Sequence, residues 1–160
     1  MHAPGDLSLP TGTERLFFAV WPDVEVRDRL AALAHEAVPA GMGRRVPVLN
    51  LHLTLVFLGA VDANRRACVE QAATNVRAAP VRMVLEEVEW RRKTGIVWTG
   101  PRATPPALVR LVNALTIELR ACGVTYEERD FKAHVTLARD VPRGRSYRLG
   151  APIVWSTRQL

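Results

Sequence analysis

A chain of 160 residues suffices for one ordinary globular domain and excludes a multidomain machine, so any site must be assembled inside a single unit. With 48% apolar and 24% charged residues it has the balance of a protein that buries a core, and no apolar run approaches the roughly 18 to 20 residues needed to cross a bilayer. Twenty-two basic against 16 acidic residues give a net charge of +6, which favours an anionic partner such as nucleic acid or a phosphorylated metabolite.

Only Lys93 and Lys132 are lysines. Arginine's planar fork suits phosphate oxygens, but a GC-rich coding sequence accounts for the same excess. The N-terminus has no basic stretch followed by a signal-type apolar core, so the chain reads as soluble and cytoplasmic.

Residues 1–13, with two prolines, two glycines and no apolar period, are expected to form a flexible tail, and 14–160 a single domain. Arg15 to Val20 reads as a short strand. Pro22-Asp23 then opens a helix whose Val26, Leu30, Leu33, Ala34 and Ala37 recur at helical spacing. Val38 to Asn50, with Pro39, Gly41, Gly43 and Pro47, is expected to be a loop before a strand over Leu51 to Leu58. Asp62 to Arg77 is a weakly amphipathic helix. Val81 to Trp90 and Thr94 to Thr99 read as a hairpin, with Thr94-Gly95 supplying the turn. From Pro105 to Cys122 the residues Leu108, Leu111, Val112, Leu115 and Leu119 form the clearest helical stripe, which Gly123 ends. Phe131 to Arg139 is a strand, followed by a basic loop with Arg143, Arg145 and Arg148 and a final strand from Pro152 still running at the chain's end. Short hairpin-like joins favour an α+β fold with antiparallel pairing.

Cys68 and Cys122 fall in predicted helices and lack any Cys-x-x-Cys or Cys/His spacing, which predicts two buried thiols, not a disulfide or a zinc site. Gly41-Met42-Gly43 lacks the context of a dinucleotide fold, and no Gly-Lys-Ser/Thr phosphate loop exists.

One pattern occurs twice. Leu51-His52-Leu53-Thr54-Leu55 and Ala133-His134-Val135-Thr136-Leu137 both read apolar, His, apolar, Thr, Leu, on predicted strands. In a shuffled chain of this composition a threonine stands two places after a given histidine about 7% of the time, so two such pairs with a shared leucine are a rare coincidence. Side chains at i and i+2 leave the same face of a strand. Each imidazole therefore shares a face with its threonine hydroxyl, while Leu53, Leu55, Val135 and Leu137 turn to the core. If the two motifs pack about an approximate two-fold axis, they flank one phosphorus atom from opposite sides, as in-line displacement requires. Histidine titrates near 6.5 when unperturbed, so one imidazole can accept a proton from the nucleophile while the other gives one to the leaving oxygen. Thr54 and Thr136 can donate to non-bridging oxygens. Such a reaction needs no metal or cofactor.

The duplicated motif, its spacing, the opening RLFFAV with its helix and the run LHLTLVFLG resemble the 2H phosphoesterases, and most closely the bacterial and archaeal RNA 2′,3′-cyclic phosphodiesterases, also called 2′-5′ RNA ligases. The resemblance runs from Arg15 onward. It implies a bilobal α+β fold with two antiparallel sheets lining a basic cleft, and metal-independent hydrolysis of an RNA terminal 2′,3′-cyclic phosphate to a 2′-phosphate, with joining of 2′-5′ linkages in some members. The partner it implies is RNA bearing a cyclic phosphate end, with no membrane and no cofactor, and a monomer is expected. The family pattern makes His134 the general base on water and His52 the general acid to the 3′ oxygen, although the near symmetry lets the roles exchange. It places Thr54, Thr136 and Arg139 on the phosphate, with Phe57 at the position equivalent to Arg139 after the first histidine. Parity objects to Arg139: an odd offset from His134 puts it on the opposite face of a regular strand, unless a bulge or the strand end turns it.

Beside the motifs the chain departs from the pattern at two residues. Arg45 stands where relatives commonly have an aromatic residue, and Ala133 where they have proline before the second histidine. Arg44-Arg45 reads either as charge in place of stacking or as an exposed loop pair. Two rival readings remain from the residues alone. A metal site would need ligands beyond His52 and His134, and neither His35 nor a repeated acid supplies them. A non-catalytic nucleotide- or RNA-binding module would keep the same histidines.

Overall fold

Asp23 starts the first helix by accepting a hydrogen bond from the Val26 amide at 2.9 Å, satisfying one of the amide groups left over at a helix N-terminus. Leu108, Leu111, Val112, Leu115 and Leu119 on the last helix are all buried, and Gly123 leaves it at φ 60, a value that suits a residue without a Cβ. The computed structural model describes residues 12–126 and 130–157. The expected tail over 1–13 lies outside these apart from its last two positions, and Thr13 already belongs to a strand. In chain order the elements are β1 (Thr13–Val20), α1 (Val24–Ala37), β2 (Arg44–Arg45), β3 (Leu53–Asp62), α2 (Arg66–Asn75), β4 (Arg82–Arg91), β5 (Ile96–Gly100), α3 (Pro106–Arg120), β6 (Val135–Arg139) and β7 (Tyr147–Ser156).

The fold is α+β, and the strands pair antiparallel in one seven-stranded sheet of order β1-β3-β6-β5-β4-β7, with β2 added against β6. The two separate sheets expected from the resemblance are therefore joined. The join is narrow: β3 and β6 share the single register pair Leu53↔Val135, and further along β6 it is β2 that pairs, Arg44 with Arg139 and Arg45 with Ala138. The connectivity also repeats. β1–α1–β3 and β5–α3–β6 are each a strand, a helix and an antiparallel return strand, and each return strand begins at a His-x-Thr. These two return strands lie side by side at the seam.

Core packing grips both motifs. Leu51 and Leu53 beside His52, and Ala133 and Val135 beside His134, are all 0% exposed. Helix α1 packs on β6 and β7, and α3 packs on β3 and α2; β3 and β6 begin at Leu53 and Val135, later than the expected Leu51 and Phe131, so each histidine stands one residue before a strand backed by helix.

Three expectations are corrected. The last strand starts at Tyr147 and pairs along β4, so Arg148 lies in a strand and not in the basic loop. The loop over Val38 to Asn50 contains β2 and a single 3-10 turn at Val48–Asn50. Cys68 and Cys122 are not two buried thiols: they form a disulfide between α2 and the end of α3, and Cys68 is exposed. Helix-against-helix packing brings together residues 54 positions apart, a proximity that local cysteine spacing cannot report. Arg65 reinforces the same corner by donating to the Gly123 carbonyl.

Candidate active site

The two histidines are held in the same way. His52 Nδ1 lies 2.7 Å from the Asn50 carbonyl oxygen, and His134 Nδ1 lies 2.7 Å from the Lys132 carbonyl oxygen. A carbonyl can only accept, so hydrogen-bond chemistry assigns the proton to Nδ1 in both rings. Nε2 is then the nitrogen at which each ring gains or loses a proton. Both rings and both threonines line one cleft of about 260 Å³, together with Arg44, Arg45, Val46, Pro47, Asn50 and Arg139. No carboxylate contributes to this lining, and three arginines do.

Aromatic neighbours differ between the two sides. His52 stacks on Phe17 and on Trp21, with ring centroids 5.1 Å away in each case, and these two aromatics are 41% and 51% exposed. His134 meets buried Trp98 at 5.5 Å and a tilt of 59°. Lys132 places its ammonium over Trp98 at 4.4 Å, in cation–π range. The Ala133 amide donates to Thr104 Oγ1 at 3.0 Å, a bond that a proline at this position has no N–H to make.

Parity is broken at the leucine of each motif. The β5–β6 register passes from Trp98↔Thr136 to Val97↔Ala138 and skips Leu137, and the β1–β3 register passes from Ala19↔Thr54 to Phe18↔Val56 and skips Leu55. Each bulge buries two successive residues, Leu137 with Ala138 and Leu55 with Val56. The next residue then returns to the face of the histidine, and Arg139 thereby reaches the cleft. Phe57 is turned the same way, but it lies opposite Phe17 with the Arg15 guanidinium 5.5 Å over its ring, and it is not part of the cleft lining.

His52, His134, Thr54, Thr136 and Arg139 are thus gathered, and Phe57 stands apart. Sequence reasoning missed Phe17, Trp21 and Trp98 as ring neighbours, and the carbonyls of Asn50 and Lys132 as anchors. The exposed aromatic at position 21, directly after an apolar strand, was the available signal for the first group. The carbonyl anchors have none, because every residue carries a carbonyl.

A family model described as the 2′-5′ RNA ligase superfamily matches residues 22–153. The RNA 2′,3′-cyclic phosphodiesterase of Escherichia coli strain K12 is 33% identical over 127 residues, covering 79% of this chain and 72% of that protein. The protein of the same name from Archaeoglobus fulgidus is 32% identical over 128 residues, covering 78% and 72%. Among solved structures, E. coli LigT complexed with NADP+ superposes with a TM-score of 0.78 at 29% identity, over 90% of this chain and 83% of that one. E. coli LigT complexed with 3′-AMP gives 0.75 at 27%, over 92% and 97%.

Proposed function

Since the chain belongs to the 2′-5′ RNA ligase superfamily, we propose that it opens the 2′,3′-cyclic phosphate at an RNA end to leave a 2′-phosphate, without a metal. The observation that carries this reading is the pair of identically anchored imidazoles in a single arginine-lined cleft. His134 Nε2 takes a proton from water as the water oxygen attacks phosphorus. The bond from phosphorus to the 3′ oxygen breaks on the opposite side, and His52, protonated at Nε2, supplies that oxygen's proton. Thr54, Thr136 and Arg139 hold the non-bridging oxygens, where charge redistributes in the transition state. Anchoring at Nδ1 fixes each ring's orientation before substrate arrives, which is how positioned acids and bases gain their advantage. An RNA hydroxyl in place of water would complete the same steps to a 2′-5′ linkage. RNA is the substrate because DNA has no 2′ oxygen to close the cyclic ester.

Phosphorus NMR on a dinucleotide with a terminal cyclic phosphate tests the reading. The expected product is the 2′-phosphate, with a rate unaffected by chelator and falling at both pH extremes. His52→Ala and His134→Ala should each lower kcat by about 10²- to 10⁴-fold. Full activity in either variant, or a 3′-phosphate product, rules the scheme out.

A further inference from the structure

Of the three arginines of the cleft, the scheme above uses Arg139, and Arg45 is tied back through Nη1 to the Val38 carbonyl at 3.0 Å, which singles out Arg44. It pairs with Arg139 across the β2–β6 ladder, and residues paired across antiparallel strands project to one face. Two guanidinium groups therefore stand side by side where β6 leaves the seam, a like-charge arrangement that disfavours the fold unless something offsets it. A single carboxylate does so in part: Arg44 Nε donates to Asp140 Oδ2 at 2.7 Å.

Asp140 reaches that position through a backbone disfavoured for residues with a Cβ. At φ 55 it is the one non-glycine residue with positive φ among those described. The turn is clamped on both sides, by the Val141 amide donating to the Gly95 carbonyl at 2.9 Å and by the close approach of Gly43, where a Cβ would lie 2.7 Å from Val141 Cγ2. The carboxylate engages Nε and leaves the terminal Nη groups of Arg44 without a carboxylate partner among the described residues. Two guanidiniums against one carboxylate leave a positive excess. The cleft, at about 260 Å³, is smaller than the roughly 300 to 1,000 Å³ of ordinary ligand pockets. It has room for a cyclic phosphate and its ribose, and the rest of an RNA strand must run across the rim.

Resting on the proposed phosphodiesterase reading, we propose that Arg44, positioned by Asp140, binds the phosphodiester preceding the terminal nucleotide, so that the enzyme selects oligonucleotides over mononucleoside cyclic phosphates. The test compares kcat/KM on three substrates: adenosine 2′,3′-cyclic phosphate, ApA with a terminal cyclic phosphate, and the same dinucleotide with a neutral methylphosphonate linkage. The charged dinucleotide should be preferred about tenfold or more over both others, the range for a hydrogen bond to a charged group. Arg44→Ala should lose about tenfold more on the charged dinucleotide than on the neutral one. Asp140→Asn, whose side chain tolerates the left-handed turn, should show a smaller loss of the same selective kind, whereas a merely structural effect would lower all three rates together.

A preference that survives neutralising the linkage would overturn the inference in favour of stacking by the second base. An Arg44→Ala loss spread equally over the three substrates would overturn it as well. Turnover of none of the three by the unmodified protein would instead remove the reading on which this one rests.

Discussion

Cys68→Ser removes the bridge between α2 and α3 while leaving the buried thiol of Cys122 in place, so it tests the cross-link and little else. The bridged residues are 54 positions apart, and closing a loop of that length removes about 14 cal/mol/K of chain entropy from the unfolded state, or about 4 kcal/mol at 25 °C. For a domain of this size each kcal/mol moves the midpoint roughly 2 to 4 °C, so Tm should fall by roughly 8 to 16 °C. Thermal unfolding followed by circular dichroism measures this, and reductant should bring the unmodified protein to the midpoint of the variant. Turnover at 25 °C should be unchanged, because neither cysteine lines the cleft. A midpoint that moves neither on substitution nor on reduction would refute the reasoning. The bridge also bears on the cytoplasmic expectation, since disulfides persist where thiols are not kept reduced. In a reducing compartment the protein would have only the stability of the variant.

Thr54→Val and Thr136→Val delete one hydroxyl each from the cleft, and each should lower kcat/KM for cyclic phosphate opening by about 10- to 100-fold. Unfolding midpoints should stay put, and a rate that also stays put would take the threonine off the phosphate. Gly43→Ala would force a Cβ to within 2.7 Å of Val141 Cγ2 and 2.9 Å of the Arg139 carbonyl oxygen, pushing β2 off β6 at a cost of about 1 to 3 kcal/mol. Urea unfolding should register that cost and kcat/KM should fall with it; an unchanged urea midpoint would mean that β2 does not depend on this close approach.

His52 with Thr54 and His134 with Thr136 were legible because a strand's two-residue period converts spacing directly into a shared face. The buried faces of α1 and α3 were legible for the matching reason in helices. Arg139 was not settled by the same rule, because the rule assumes an unbroken pleat and each motif interrupts its pleat at the leucine. The bulge comes from how two ladders meet, which neither strand's own sequence records. Phe57 shows the limit from the other side: its bulge matches that of Arg139, yet it pairs with Phe17 beneath Arg15 and not at the cleft. β2 was hidden in a segment rich in proline and glycine because a two-residue strand owes its existence to its partner. The single sheet went unseen because it depends on one pair, Leu53 with Val135.

The anchors at Asn50 and Lys132 use main-chain oxygen, and this makes the proton-exchanging chemistry tolerant of mutational drift. Side-chain orienters are lost whenever their codon changes, whereas an oxygen belonging to the polypeptide itself survives replacement of either residue, provided the local path of the chain is kept. The tautomer of both rings is thus inherited from the backbone, which leaves positions 50 and 132 open to selection for other tasks.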